Sequence, residues 1–557
     1  MAFKDKTLIE LFYDLESTKP NKVFLRQPFG DRWEEYTYKE VGDKIRRMTS
    51  YLHSLNLPKH SNIGIISKNC REWIIADLAI MMSGHVSVPL YATLKEDTLK
   101  EVLTIGDVTA LFVGKLEDWD GMKNGVSADI HVIKFPQYKG VSEIDRGEDW
   151  NDIMRQHEPQ QSNYIPDDDD LWTIVFTSGT TGTPKGVMHS HRTLKNAGMH
   201  TGDFNNLKMD EDGNNRFFSY LPLNHIAERM AVEAQGLTYG GSISFPESLD
   251  TFAKNLNDTQ PTMLFGVPRI YTKFQLGVLS SLPQKKLDRL LKIPLVSGMI
   301  KKKVRKGLGL ASAKVMLVGA APMSKQDKIW WKKLGMPISE GYGMTENLGV
   351  ATFLDGNADK PGSIGKFYPE NDVRVDPDTG EIQVRSMWNM LGYYKNPEKT
   401  EEVLKDGWLY TGDQGKVDEE GYVYLTGRVK DTFKTAKGQY VVPGPLEFKF
   451  ANNKDIEQIC VCGLGLPQPI AIVVPSDIGK GKSKNDLEES LRSTLNTANT
   501  DLPGYKRISH VMIAKEPWGV ENDLLTPTLK IKRNAVDKKY LDTLNTVCQC
   551  QEPIYWE

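Results

Sequence analysis

A chain of 557 residues is too long for one hydrophobic core, so two or more domains are expected, one of them large enough to enclose a deep pocket. Charged residues make up 26% of the chain, yet the formal net charge is only -3. That balance excludes the strongly basic character of a general nucleic-acid binder and the acidic excess of a solvating tail, so partners must be sought in local sites.

In chain order, Met1 to Tyr13 mixes Lys4, Asp5, Lys6 and Glu10 among its apolar residues, which leaves no continuous apolar core for a secretory signal. A cytoplasmic location is the expectation. The longest apolar stretch, Trp73 to Ala92, carries Asp77 and His85 and is broken near Gly84 and Pro89, so it predicts a buried helix followed by a strand rather than a bilayer span. Short β-branched runs at Asn62 to Ser67, Thr109 to Val113, Trp172 to Thr177, Thr262 to Phe265 and Lys314 to Val318 recur between segments of helical spacing. This alternation predicts an α/β architecture with mostly parallel sheets. From Asp406 the texture changes to turns and short strands, with Tyr422 to Thr426 as one arm of a hairpin. The boundary is placed at Arg428, giving a large N-terminal domain over 1–428 and a small α+β domain over 429–557.

Directly after the apolar run Trp172 to Phe176 come Thr177, Ser178, Gly179, Thr180, Thr181, Gly182, Thr183, Pro184, Lys185 and Gly186. Hydroxyls and close-approaching backbone amides can surround a polyphosphate, and Lys185 adds a point charge. A run of this composition can also be an ordinary surface loop, but its place at a strand end is where open α/β sheets bind ligands. Pro184 stands where Gly would precede the lysine of the common nucleotide loop, which disfavours a kinase or ATPase of that class.

Further motifs follow in order. They are Tyr220-Leu-Pro-Leu-Asn-His-Ile-Ala-Glu-Arg229, Val267-Pro-Arg-Ile-Tyr271, Gly319-Ala-Ala-Pro-Met323, Glu340-Gly-Tyr-Gly-Met-Thr-Glu346, Tyr410-Thr-Gly-Asp413, Gly427-Arg-Val-Lys-Asp431, Lys437-Gly-Gln-Tyr-Val-Val-Pro443 and Leu525-Thr-Pro-Thr-Leu-Lys-Ile-Lys-Arg533. Taken singly, the glycine-containing segments read as tight turns, Glu346 as a helix cap after Thr345, His225 as a core or capping histidine, and Lys530 as a surface charge. Between Gln284 and Lys306 basic residues dominate, interleaved with leucine, isoleucine and valine. That stretch reads first as a solvated helix face, with docking on anionic lipid as the alternative.

The ordered series, with Thr177 to Gly186 at its head, closely resembles the adenylate-forming (AMP-binding) superfamily, and within it the long-chain and bubblegum-type fatty acyl-CoA synthetases. The resemblance implies a large adenylate-forming domain of parallel and mixed sheets with a small mobile C-terminal domain. It further implies ATP-dependent activation of a fatty acid to an acyl-adenylate, then transfer to coenzyme A. ATP would be bound by Thr177, Ser178, Gly179, Thr180, Thr181, Gly182 and Lys185, by Gly319, Ala320 and Ala321 along the adenine, and by Glu340, Gly341, Tyr342, Gly343 and Thr345. Asp413 and Arg428 would form the ribose-binding pair, since a carboxylate accepts hydrogen bonds from vicinal hydroxyls. Thr177 and Glu346 would hold Mg²⁺, which prefers oxygen ligands. Lys530, His225 and Thr345 would be catalytic, Lys430 the hinge, and Lys437, Gly438 and Gln439 the coenzyme A loop.

Two departures are visible: Leu529 replaces the glycine that many relatives carry before the lysine, and Asn224 replaces a serine. The first points towards long-chain members. Fatty acid, ATP and coenzyme A are thus the expected partners, with no nucleic acid, and with peripheral contact to the inner face of a membrane and a homodimer left open. Two other readings remain: a ligase delivering the acyl group to a carrier protein, and a catalytically silent acyl- or nucleotide-binding protein. Five cysteines, Cys70 and the pairs Cys460/Cys462 and Cys548/Cys550, read as structural, with zinc as the alternative for the pairs.

Overall fold

The computed structural model describes residues 5–178, 183–205, 207, 209–210, 212–360, 362–526 and 530–557. An eight-stranded sheet forms the first layer. Strands Leu171–Ser178, Val86–Leu90, Asn62–Ile66, Val108–Val113, His131–Lys134 and Glu148–Asp149 run parallel, and Pro184–Ser190 and Gly392–Tyr393 are added antiparallel. Strands 62–66 and 86–90 are buried along their whole length, as a parallel sheet covered on both faces requires. The run from Trp73 becomes helix Arg71–Met82, every residue of which is buried, followed by strand Val86–Leu90. Its Asp77 is neutralised in the core by Arg229, whose Nη2 lies 2.6 Å from the carboxylate.

A ten-stranded sheet begins with three parallel strands, Met263–Gly266, Val315–Val318 and Ile338–Tyr342, and continues antiparallel through the hairpin Trp408–Val417 and Tyr422–Arg428. The sheets are therefore more mixed than alternation of strands and helices alone suggests, because the later strands are joined by short turns rather than crossover helices. A third, four-stranded sheet joins Asn215–Phe218, Gly241–Ser244, Val23–Phe29 and Arg32–Thr37.

After Arg428 the chain builds a separate sheet of Ile456–Cys462, Ile470–Pro475, His510–Ile513 and Ile554–Trp556. One hydrophobic cluster includes Val461, Val473 and Leu491, and a second includes Cys460, Ile472 and Tyr540. Adjacent residues of one strand point to opposite faces, so the two clusters cover opposite sides of this sheet. Neither cluster draws a residue from before position 428. Cys460 and Cys462 lie buried on one strand with sulfurs 3.9 Å apart, and among the described residues no group of three metal-ligating side chains gathers.

Candidate active site

The hydroxyl-rich run is a hairpin rather than a free loop at its ends. Ladder pairing sets Thr177 opposite Lys185 and Ser178 opposite Pro184, so both flanks zip into the sheet and the lysine is placed beside Thr177. Gly186 is needed for this closure, since a Cβ there would come within 2.7 Å of Ile174 Cγ2. Gly179, Thr180, Thr181 and Gly182 lie outside the described residues. The Lys185 ammonium sits 5.2 Å above the Tyr393 ring. Partial burial and the neighbouring ammonium groups of Lys430 and Lys399 lower its pKa, while Glu346 and Glu402 oppose the shift. Three cations gathered at the base of this hairpin repel one another, a cost that a bound polyanion would remove.

The ends of the parallel strands 315–318 and 338–342 carry the next segments. Ala320 adopts a left-handed φ of +63° and, with Ala321, is exposed at its strand end. Such a conformation is uncommon for a residue with a side chain, and here it turns the backbone sharply after Gly319. Glu340 points inward, where it pairs with Lys328 and accepts a hydrogen bond from Met323 N–H at 3.4 Å, tying the two segments together. Burial raises its pKa and Lys328 opposes the rise. Gly341 leaves open space on its side-chain side, the nearest atom to an added Cβ being Thr352 O at 3.9 Å.

Gly343 packs against the backbone of Gly349, where a Cβ would meet the carbonyl carbon at 2.1 Å. Gly343→Ala should therefore cost about 1–3 kcal/mol in overpacking. Denaturant unfolding checks this, and an unchanged midpoint would contradict it.

Thr345 is buried, and its backbone carbonyl accepts a 2.7 Å hydrogen bond from His189 Nε2. Glu346 is 9% exposed and receives the Tyr393 hydroxyl at 2.8 Å on one carboxylate oxygen. The hairpin register sets Asp413 directly opposite Arg428, and the two pair at 2.8 Å. Tyr342 donates its hydroxyl to the other Asp413 oxygen at 2.7 Å. Burial and then Asp413 push the Tyr342 pKa well above the usual range, while Asp413 raises that of Arg428.

Lys530 crosses from the C-terminal domain to this cleft. Two hydrogen bonds to Thr526 position it: Thr526 N–H donates to Lys530 O at 2.7 Å, and Lys530 N–H donates to Thr526 Oγ1 at 3.1 Å. The residue keeps access to solvent, yet the protein crowded around its ammonium and the Arg428 charge lower its pKa, opposed by Asp413 and Glu346. The same ammonium acts electrostatically on His225, whose pKa burial and Lys530 push down to about 4. His225 caps the helix starting at Ile226, with Ala227 N–H donating to Nδ1 at 3.2 Å. An accepting Nδ1 puts the proton of the neutral ring on Nε2.

Within the same motif Glu228 and Arg229 turn inward. Glu228 accepts from Ser219 Oγ and Tyr220 N–H at 3.0 Å, and the Arg229 guanidinium lies 4.1 Å over the Trp172 ring. These contacts anchor the helix that presents His225. Lys430 is exposed beside Lys185, whereas Lys437, Gly438 and Gln439 form an exposed hairpin tip. The backbone there closes on itself, with Thr435 N–H donating to Gln439 O at 2.9 Å and Gly438 at φ +78°. The structure thus brings together Thr177, Lys185, Glu346, Lys430, Asp413, Arg428, His225 and Lys530, and leaves the 437–439 tip on its own hairpin. Tyr393, Lys399, Lys328 and His189 are site residues that the motifs do not indicate.

A family model described as AMP-binding enzyme matches residues 14–394, and one described as AMP-binding enzyme C-terminal domain matches residues 430–552. Among curated proteins, a long-chain-fatty-acid–CoA ligase of Xenopus laevis is 27% identical over 98% of this chain and 84% of its own length. Long chain acyl-CoA synthetase 5 of Arabidopsis thaliana is 28% identical over 91% of this chain and 86% of its own. Among solved structures, an anthranilate CoA ligase in complex with anthranoyl-AMP superposes with a TM-score of 0.78 at 20% identity, over 98% of this chain and 100% of that one. The adenylation domain of a carboxylic acid reductase from Segniliparus rugosus, in complex with AMP and a co-purified carboxylic acid, gives 0.78 at 23% identity, over 98% and 94%.

Proposed function

The chain belongs to the AMP-binding enzyme family, and on that footing we propose that it is a long-chain fatty acid–CoA ligase working in two half-reactions. In the first, a carboxylate oxygen of the fatty acid attacks the α-phosphorus of ATP, the bond to pyrophosphate breaks, and acyl-AMP forms. In the second, the thiol sulfur of coenzyme A attacks the acyl carbon, AMP leaves with the phosphate oxygen, and the thiol proton passes to solvent.

The observation that carries this reading is the convergence of Lys530 with His225, Arg428, Asp413 and Glu346 across two domains. Both reactants of the first step are anions, so catalysis is mostly charge neutralisation and alignment. Lys530 serves the attacking carboxylate and the α-phosphate together. Thr345 offers a hydroxyl to the α-phosphate, and Lys185 with Lys430 faces the phosphates that leave. Tyr342, Asp413 and Arg428 hold the nucleoside, with the exposed turn Gly319, Ala320 and Ala321 along the base. No general base is needed, because the acid is already ionised near pH 7.

The donors present suit Mg²⁺: the Thr177 hydroxyl and the Glu346 oxygen that Tyr393 does not occupy are hard oxygens flanking Lys185. When bound, the ion would supply neutralisation of phosphate charge. Thiolysis requires Lys530 to withdraw and the 437–439 tip to enter. We set the domain boundary at Arg428, with Lys430 as hinge, since the hydrophobic clusters of the C-terminal sheet stop short of it. Among the described residues no helix is long and apolar enough to cross a membrane.

The test is pyrophosphate release over carboxylic acids of increasing length, with AMP release measured with and without coenzyme A. Steady AMP release that requires coenzyme A supports the reading; release that needs a carrier protein instead overturns it. His225 gives a second check. Neutral down to about pH 4, it should impose no limb on the pH–rate profile near 6.5, and its contribution should fade only as pH falls towards 4. His225→Ala should lower kcat/KM for the acid by roughly 10- to 100-fold, the loss of one hydrogen bond to a charged group, with KM for ATP little changed.

A further inference from the structure

We infer that the helical hairpin Gln284–Leu291 and Pro294–Gly307 is a docking surface for an anionic phospholipid leaflet, from which the acid is delivered to the site. This rests on the fatty acid reading above. Residues 284–306 hold nine lysines and arginines against one aspartate, in a chain whose net charge is -3. Among the described residues Lys285, Lys286, Lys292, Lys302, Lys303 and Lys306 enter no ion pair, so their charge is directed at solvent rather than spent within the protein.

The helix 294–307 buries none of its residues, and Leu295 and Met299 on it are 86% and 64% exposed. Leu295, Met299, Lys302, Lys303 and Lys306 follow helical spacing onto one outward face, apolar at its start and basic at its end. The opposite stripe, Ile300, Val304 and Leu308, packs on the buried cluster that contains Leu256, Leu287 and Trp331. Tyr220, which opens the motif that ends at Arg229, rests on the same cluster, so the hairpin and the motif carrying His225 share one core. An apolar insert flanked by unpaired lysines matches a negatively charged leaflet in both components of interfacial binding. A solvated helix face would need the lysines but gains nothing from Leu295 and Met299 beside them.

The experiment is co-sedimentation of the full-length protein with vesicles of phosphatidylcholine alone or mixed with phosphatidylglycerol. Wild type should sediment with the mixed vesicles and be released by salt. Replacing Lys302, Lys303 and Lys306 by Gln should lower the partition coefficient on the order of a hundredfold. Leu295→Gln with Met299→Gln should also weaken binding, at unchanged charge. Both variants should release pyrophosphate from a short water-soluble acid at the wild-type rate and lose activity only on a long acid presented in vesicles.

Sedimentation that ignores phosphatidylglycerol, or that survives both variants, overturns the proposal. So does a dimer in sedimentation velocity that Leu295→Gln dissolves, because the face would then be covered by a second copy. Normal vesicle binding with no pyrophosphate release from any acid would uphold the docking and refute the catalytic reading.

Discussion

Lys530→Ala should slow acyl-adenylate formation by roughly a thousandfold, on the scale of removing a donor aimed at charge developing in a transition state. Its ammonium is the cation that the C-terminal domain brings to a cleft where Arg428 is otherwise engaged with Asp413. Lys185 and Lys430 influence one another beside the hairpin 171–190, where the proposed reaction puts the departing phosphates. No neighbouring lysine can replace it without dismantling that arrangement. Thiolysis of supplied acyl-adenylate should stay close to wild type, because in the proposed second step Lys530 has withdrawn. Separate assays of acid-dependent pyrophosphate release and of coenzyme A acylation distinguish the two. Equal impairment of both, or unimpaired pyrophosphate release, would contradict the role.

Asp413→Ala should raise KM for ATP by roughly a hundredfold, since hydrogen bonds to a charged group are each worth about 1.5–3 kcal/mol. Asp413 accepts from the Tyr342 hydroxyl at 2.7 Å and from Arg428 at 2.8 Å, so its loss frees both groups and removes the acceptor proposed for the ribose. Asp413→Asn, which retains an acceptor, should fall between. Stability should change little, because the released Arg428 side chain is 51% exposed and can be solvated. ATP titration by calorimetry, with thermal unfolding as control, reads both effects. Wild-type nucleotide affinity in Asp413→Ala would remove this residue from the ribose site.

Features carried by short-range chemistry are legible in the amino-acid sequence alone. The run 177–186 stands out by its own composition and its place after a strand, whereas the segments at 319–323 and 340–346 and the pair Asp413 and Arg428 are legible only through their ordered resemblance to the adenylate-forming superfamily. Strand runs such as Asn62 to Ser67 and the switch to hairpins after Asp406 follow from β-branched density and turn residues. Contacts that depend on long-range register are not legible in this way. Tyr393 reaches Glu346 only because Gly392–Tyr393 pairs with Pro184–Ser190, and nothing near Tyr393 in the chain announces that pairing. Lys399 and Lys328 look like any other of 70 basic residues.

The strand ends also differ from the sequence pattern. Pro184 and Lys185, read as part of the loop, belong to the ladder itself, because backbone pairing with Ser178 and Thr177 extends the strands to both flanks of the run. The motif marks Glu340 as a nucleotide contact, while its side chain is engaged within the protein by Lys328 and Met323. Helix 294–307 illustrates the reverse: its basic composition is plain, but which lysines share a face with Leu295 depends on where the helix begins and ends.

The most direct test of the two-step account is isotope exchange between labelled pyrophosphate and ATP in the presence of a long-chain fatty acid and the absence of coenzyme A. The account predicts exchange that depends on the acid, proceeds without the thiol, and is abolished in Lys530→Ala. Exchange that occurs only when coenzyme A is present, or none with any carboxylic acid, would contradict it.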